Sequence, residues 1–328
     1  MRRGATAGLA AGCLVPLLVL AGCSDDGDDD PASPPSETEE TAPPSYDPSL
    51  EPAAAVLPLV PADATRLTVT DYEQLRLELG NPDLGDEGMS DREREKFWSR
   101  VSAETAALTT GVLRDVDQRL RSEYGFSQDD VEWEAHFGGP GGETGWVLKL
   151  RDDLGMGGVQ RAVKDGVGPL AGVKVAAAEH VIGTGTTTDM TDSWATDPAI
   201  AGLVGRPAAA TYAERGCVPF EDVYGEGVLD QLASGPSADV AGLLDLPAFT
   251  VSFGGRLATV RLGEGRADTF ARSRLAETLP ETEPVFTSGF TEPVADPAGG
   301  RIGYSLADPR AAADLTLSRR LPFAVCAE

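Results

Sequence analysis

Histidine is the scarcest of the side chains in this sequence that could do chemistry. The 328 residues contain two, His136 and His180. Neither belongs to a His-x-x-x-His, His-Glu-x-x-His or His/Cys cluster, so an imidazole-built zinc site is not expected. A serine triad would have to use one of the two, yet no Gly-x-Ser-x-Gly elbow accompanies either. Two glycine-rich stretches, 138–145 and 183–185, lack the Lys-Ser/Thr ending and the strand-then-helix setting of a phosphate cradle. The 53 acids are too many to discriminate. Pairs such as Asp129-Asp130, Asp152-Asp153 and Glu221-Asp222 read as solvated surface, and no glycosidase-type pair stands out. Trp98, Trp133, Trp146 and Trp194 read as core rather than as the lining of a cleft. No catalytic residue, metal ligand or cofactor site is assigned on this basis.

The four cysteines say more by position than by number. Arg2 and Arg3 precede an apolar or small run over 4–22 that contains Cys13, and Cys23 ends it. Residues 1–22 have the layout of a secretory signal, and the run is glycine-broken and barely long enough for a retained membrane helix. Its ending, Leu20-Ala21-Gly22-Cys23, resembles the lipobox of bacterial lipoproteins. That resemblance implies cleavage before Cys23 by lipoprotein-processing enzymes. It also implies acylation of Cys23, palmitate included, and a lipid-anchored location on the outer face of the cell membrane. Two or three acyl chains anchor firmly where one would be marginal. Export leaves Cys217 and Cys326 for the folded part. In an oxidising compartment they most simply form one disulfide, with two buried free thiols as the alternative. A redox role would need Cys-x-x-Cys spacing, which they lack.

The formal charge of −26 argues against nucleic acid or an anionic lipid surface as partner, since both need basic patches. Hydrophobic content of 41% allows a sizeable core. Residues 23–57 read as an acidic, proline-rich disordered tether, because they offer almost nothing apolar to bury. The acids Asp25–Asp30 lack the turn glycine and bidentate Glu of a calcium loop.

Folding is expected from about 58, in two α+β halves, 58–225 and 226–328. Leu67 and Val69 alternate with threonines as a strand, and Asp71 with Gln74 reads as the N-cap of a helix ending at Gly80. Ser90 and Glu93 form a capping box. Behind it, Phe97, Val101, Leu108, Val112, Val116 and Leu120 keep helical spacing, which predicts one long helix over 91–124. Alternation over 131–137 and 146–150 predicts a half-buried hairpin whose outer face is wet. A helix near 157–170, a strand from about Val173 and a helix opened by Asp197-Pro198 follow. The last third repeats this pattern with strands at 249–253 and 258–262, a helix from about Ala267 and another opened by Asp308-Pro309. Corresponding features fall at nearly equal offsets, which suggests a duplicated ββαβα unit with antiparallel sheets and packed helices. Gly138, Gly139, Pro140, Gly141, Gly142 and Glu143 read as a loop longer than a hairpin needs, and so as a partner-facing edge.

The onset Val60-Pro61-Ala62-Asp63 and the αβ repeat resemble surface lipoproteins of high-GC Gram-positive bacteria, a resemblance that carries no specific function. The expectation is therefore an anchored envelope protein with a non-enzymatic binding or scaffolding domain and an envelope partner not specified by sequence. A solute- or lipid-binding lipoprotein and a carboxylate-dependent hydrolase are the alternatives.

Overall fold

A computed structural model describes residues 44–82, 84, 89–139, 141–228, 238–278 and 284–327. Cys23, residues 1–22 that read as a signal, most of the acidic stretch and Pro140 lie outside these residues. Ten strands form one sheet: β1 (Arg66–Asp71), β2 (Val131–Gly139), β3 (Gly142–Leu150), β4 (Lys174–Ala176), β5 (Val181–Thr184), β6 (Ala210–Arg215), β7 (Ala248–Gly254), β8 (Leu257–Arg261), β9 (Phe290–Asp296) and β10 (Arg301–Leu306). Their order is β4-β5-β3-β2-β1-β6-β7-β8-β10-β9, and every pairing is antiparallel. The fold is α+β.

Read outward from the β1–β6 pair, the two sides of the sheet have the same strand order: β1-β2-β3-β5-β4 and β6-β7-β8-β10-β9. Each side is richer than the expected ββαβα unit. The single strand foreseen near Val173 is two short strands, β4 and β5, and the one strand that the repeat implied between the last two helices is likewise two, β9 and β10. β6, which lies inside 58–225, pairs with β7 and heads the second set.

The helices used below are α1 (Pro52–Ala55), α2 (Tyr72–Glu78), α3 (Asp91–Glu104), α4 (Met156–Lys164), α5 (Pro198–Ala201), α6 (Phe220–Tyr224), α7 (Thr269–Thr278) and α8 (Pro309–Leu317). Side-chain caps set the starts of α2, α3 and α8. Asp71 accepts from Gln74 N at 2.9 Å, the Ser90/Glu93 capping box forms, and Asp308 accepts from Arg310 N and Ala311 N. Two cores cover one face of the sheet. The first joins Leu148, Leu150, Phe97, Leu75 and Val159 over the β1–β5 side. The second joins Phe249, Val251, Phe253, Phe290, Leu315 and Phe323 over the β6–β10 side. A third core lies on the opposite face, with Leu67, Val69, Trp133, Ala135, Trp194 and Ile200.

Three expectations need correction. The long helix over 91–124 does not form. α3 ends at Glu104, and residues 114–124 are short 3-10, α and π turns capped by Gly125 at φ 78°. The segment between them is an open loop because its amides bind the sheet instead of the helix. Leu108 N and Thr109 N both donate to Thr70 Oγ1, at 3.1 and 3.0 Å, and Val112 N donates to Glu134 Oε2 at 2.9 Å. Residues 52–57 are not part of a tether, since α1 and the turn after it bury Ala53, Ala55, Val56 and Leu57. The stretch 138–143 is not a long loop. β2 runs through Gly139 and β3 starts at Gly142. A Cβ on Gly138 would stand 2.2 Å from Gly142 O, so the tight hairpin requires glycine there.

Candidate functional site

The register aligns rows of side chains across the sheet, and three of them explain where a cleft opens. One row reads Trp146, His136, Thr68, Tyr212, Val251, Val260 and Ile302. The next reads Leu148, Glu134, Thr70, Ala210, Phe253 and Ala258. The third reads Glu143, Gly138, Arg66, Glu214 and Phe249. Their ends are apolar or lie at the hairpin, whereas their centres on β2, β1 and β6 carry a polar island.

The loop after α3 covers part of that island by taking Thr70 and Glu134 as acceptors. Arg66, Thr68, His136 and Tyr212 remain at the floor of an open cavity of about 380 Å³. Leu108, Thr109 and Thr110 form one wall and Leu317 of α8 the other, with Gly138, Gly142 and Glu143 at the rim. A second cavity of about 240 Å³ shares Leu108, Thr109, Thr110 and Leu317 and continues between α3 and α8. There Arg114 stacks over the Trp98 ring, 5.0 Å from its centroid.

His136 is held at both ring nitrogens. Nε2 lies 2.8 Å from Glu134 Oε1 and Nδ1 lies 2.7 Å from Glu143 Oε2. Burial alone would lower its pKa, but the bonds to the two carboxylates outweigh burial and raise it to about 9. The ring is therefore an imidazolium at neutral pH and donates to both acids. Glu134 is fully buried and also accepts from Val112 N and Gln128 Nε2. The wet outer face expected for this strand is thus closed over at Glu134 and half-closed at His136.

Arg66 donates one bond, Nη2 to Gly139 O at 2.7 Å, and among the described residues no carboxylate pairs with it. Across the cleft floor, Tyr212 OH donates to Glu214 Oε2 at 2.5 Å, and Arg319 holds Glu214 Oε1 at 2.7 Å and also pairs with Asp222. Burial, then the Glu214 charge, pushes the Tyr212 phenol far up. Tyr212 stays a neutral donor, and Arg66 is the cation at this end of the cleft with donors to spare.

The structure brings Gly138, Gly142 and Glu143 to the cleft rim, while Gly141 occupies the hairpin turn and Pro140 lies outside the described residues. Cys217 and Cys326 form a disulfide with Cα atoms 5.7 Å apart, beside the second core and away from the cleft. The four tryptophans are all buried. Asp129 is not solvated surface: it is buried, pairs with Arg94 and accepts from Trp98 Nε1 at 2.9 Å. His180 sits in a left-handed turn at φ 53° with Nδ1 2.8 Å from Arg151 O. Among the described residues there is no group of three or more metal-ligating side chains, and no helix is long and apolar enough to cross a membrane. Sequence reasoning missed Arg66, Thr68, Thr109 and Tyr212. Polar residues at alternate positions of β1 and β2 were the one local signal for them.

Comparison of the chain with family models, curated proteins and solved structures gives no match.

Proposed function

We propose that this is a lipid-anchored, extracytoplasmic envelope protein that binds a small solute in the cleft at the centre of its sheet, without converting it. The observation that carries the reading is the uncovered polar floor between two closed apolar cores. Burying polar groups costs free energy unless they are bonded, and filling these positions with apolar side chains would have closed the core. Arg66, which has donors to spare, favours an anionic group on the solute, while the His136 ring is spent on Glu134 and Glu143. Thr68 and the exposed Thr110 line the cleft with hydroxyls, and Leu108 and Leu317 offer an apolar wall, which suits an amphipathic carboxylate.

Binding is favoured over hydrolysis by the state of the two nearest acids. Glu134 and Glu143 are both engaged by His136, so neither is placed as a free general acid or base. The polar floor and open mouth likewise favour a small solute over a lipid chain. Anchoring rests on the lipobox resemblance at Cys23 and gives the cleft access to solutes outside the membrane.

The test uses the full chain purified from membranes in detergent. Native mass spectrometry and a thermal-shift panel of aliphatic and aromatic carboxylates should reveal at least one ligand. That ligand should raise the melting temperature of the natural protein and not of Arg66→Gln. A ligand-free mass together with no shift across the panel would end the proposal. Separately, Cys23→Ala should leave the chain unprocessed or released into the medium, and a mature, membrane-bound mutant would remove the anchor.

A further inference from the structure

We infer that Arg206 and Arg261 form a second binding site, for a small dianion of the phosphate or dicarboxylate class, on the face of the sheet opposite the cleft. The inference is independent of the cleft and shares no residue with it.

Along β8, Ala258, Val260 and Leu262 belong to the second core, so Arg261 points to the other face. Its cross-strand partners are Thr250 on β7 and Arg301 on β10. Two arginines stand directly opposite each other, an arrangement that is destabilising by itself. Arg301 is neutralised by its own partner across the next ladder, Asp296, at 2.5 Å. The Thr250 hydroxyl is turned to Leu203 O. Nothing is left for Arg261: among the described residues it makes no hydrogen bond or ion pair, and its Nε is buried without a partner.

A third arginine sharpens the imbalance. Arg206, on the loop after α5, lines the same cavity of about 310 Å³ as Arg261, together with Leu203, Gly263, Glu264 and Gly299. Arg206 also lacks an ion pair among the described residues, although Glu264 is exposed at the same rim. Burial, with the nearby charges of Arg301 and Arg206, holds the Arg261 guanidinium below its ordinary pKa. In a chain of net charge −26, two unneutralised guanidiniums facing one cavity run against the composition. An anion between them would remove the repulsion and pair with the two guanidiniums through charge-assisted bonds. Two facing cations select a doubly charged ligand. The strongly negative chain disfavours approach to an anionic bilayer, so the ligand is taken to be a soluble dianion rather than a lipid headgroup.

The experiment titrates inorganic phosphate and succinate separately into the full chain at low ionic strength, by calorimetry. At least one should bind, and R261Q and R206Q should each weaken it tenfold or more. R161Q, which removes the same charge from an exposed position on α4, should leave it unchanged. The bound dianion should also raise the melting temperature of the natural protein but not of R261Q. Because Arg261 has no internal partner, R261Q without ligand should melt no lower than the natural protein. A lower melting temperature with no dianion binding would make Arg261 structural and overturn the site. Absence of binding by both dianions, or binding equally strong in R261Q and R206Q, would overturn it as well. Arg206 is exposed, so R206Q keeps the test decisive should R261Q fold poorly.

Discussion

The β1–β5 and β6–β10 sides of the sheet have one strand order and two different fillings. On β7, the residues facing the second core are Phe249, Val251 and Phe253. On β2, the strand at the equivalent place in the order, the same face carries Glu134 and His136. Apolar side chains on β7 attract cover: Phe323 packs edge-on to Phe249, and Phe290 packs against Phe253. Polar side chains on β2 and β1 instead draw the amides of the loop after α3, which stop short of Thr68 and Arg66. A similar topology therefore closes on one side and stays open at the junction, and the cleft is where the filling changes rather than where the topology does.

That contrast can be broken most severely at the covalent tie present on one side only. Cys217 and Cys326 are 109 residues apart and close the β6–β10 side. Replacing both by serine should cost up to about 5 kcal/mol in the chain-entropy model. Urea unfolding with and without reductant measures it, and identical midpoints would show that the bridge adds nothing. Next in size is a comparison within one row, Gly138–Arg66–Glu214–Phe249. Phe249→Ala should cost about 3–5 kcal/mol as a cavity in a fully buried core, whereas Arg66→Gln should stay within about 0.5 kcal/mol. Equal losses would make Arg66 a structural residue and take away the cation that the cleft offers to a ligand.

Much of the scaffold was legible because it is written locally. The Ser90/Glu93 box, the Asp71 cap and the alternation over 131–137 and 249–253 each lie within a few residues, and all appear in the fold. The break in the predicted long helix was not legible. Leu108, Val112, Val116 and Leu120 keep helical spacing, and what overrides it is distant: Thr70 and Glu134 capture the loop amides. β9 was hidden for another reason. Pro293 and a left-handed Glu292 (φ 52°) interrupt its pattern, as suits an edge strand that must not recruit another chain. The cleft drew its residues from β1, β2, β6, the loop after α3 and the end of α8, so no window of sequence contained it. The glycine-rich stretch at 138–143 was picked out for its length, yet it reaches the cleft through the tightness of its hairpin.

The finest test of the contrast is pH, because the open side holds a protonated histidine and the closed side does not. His136 has a folded-state pKa of about 9 against an ordinary value of 6.5. A group whose pKa rises on folding contributes stability that is complete below its unfolded value and disappears as pH climbs through its folded value. Here the contribution is full below about pH 6.5 and lost by about pH 9, and the shift bounds it at about 3 kcal/mol. Unfolding free energies should therefore fall across that window in the natural protein and stay nearly flat in His136→Gln, with the other groups common to both. The same titration bears on the cleft, since deprotonation leaves Glu134 and Glu143 facing an uncharged ring and makes the floor beside Arg66 one charge more negative towards an anionic solute. Carboxylate affinity should then weaken over the same pH interval. Loss of stability without loss of affinity would place His136 in the scaffold and leave recognition to Arg66.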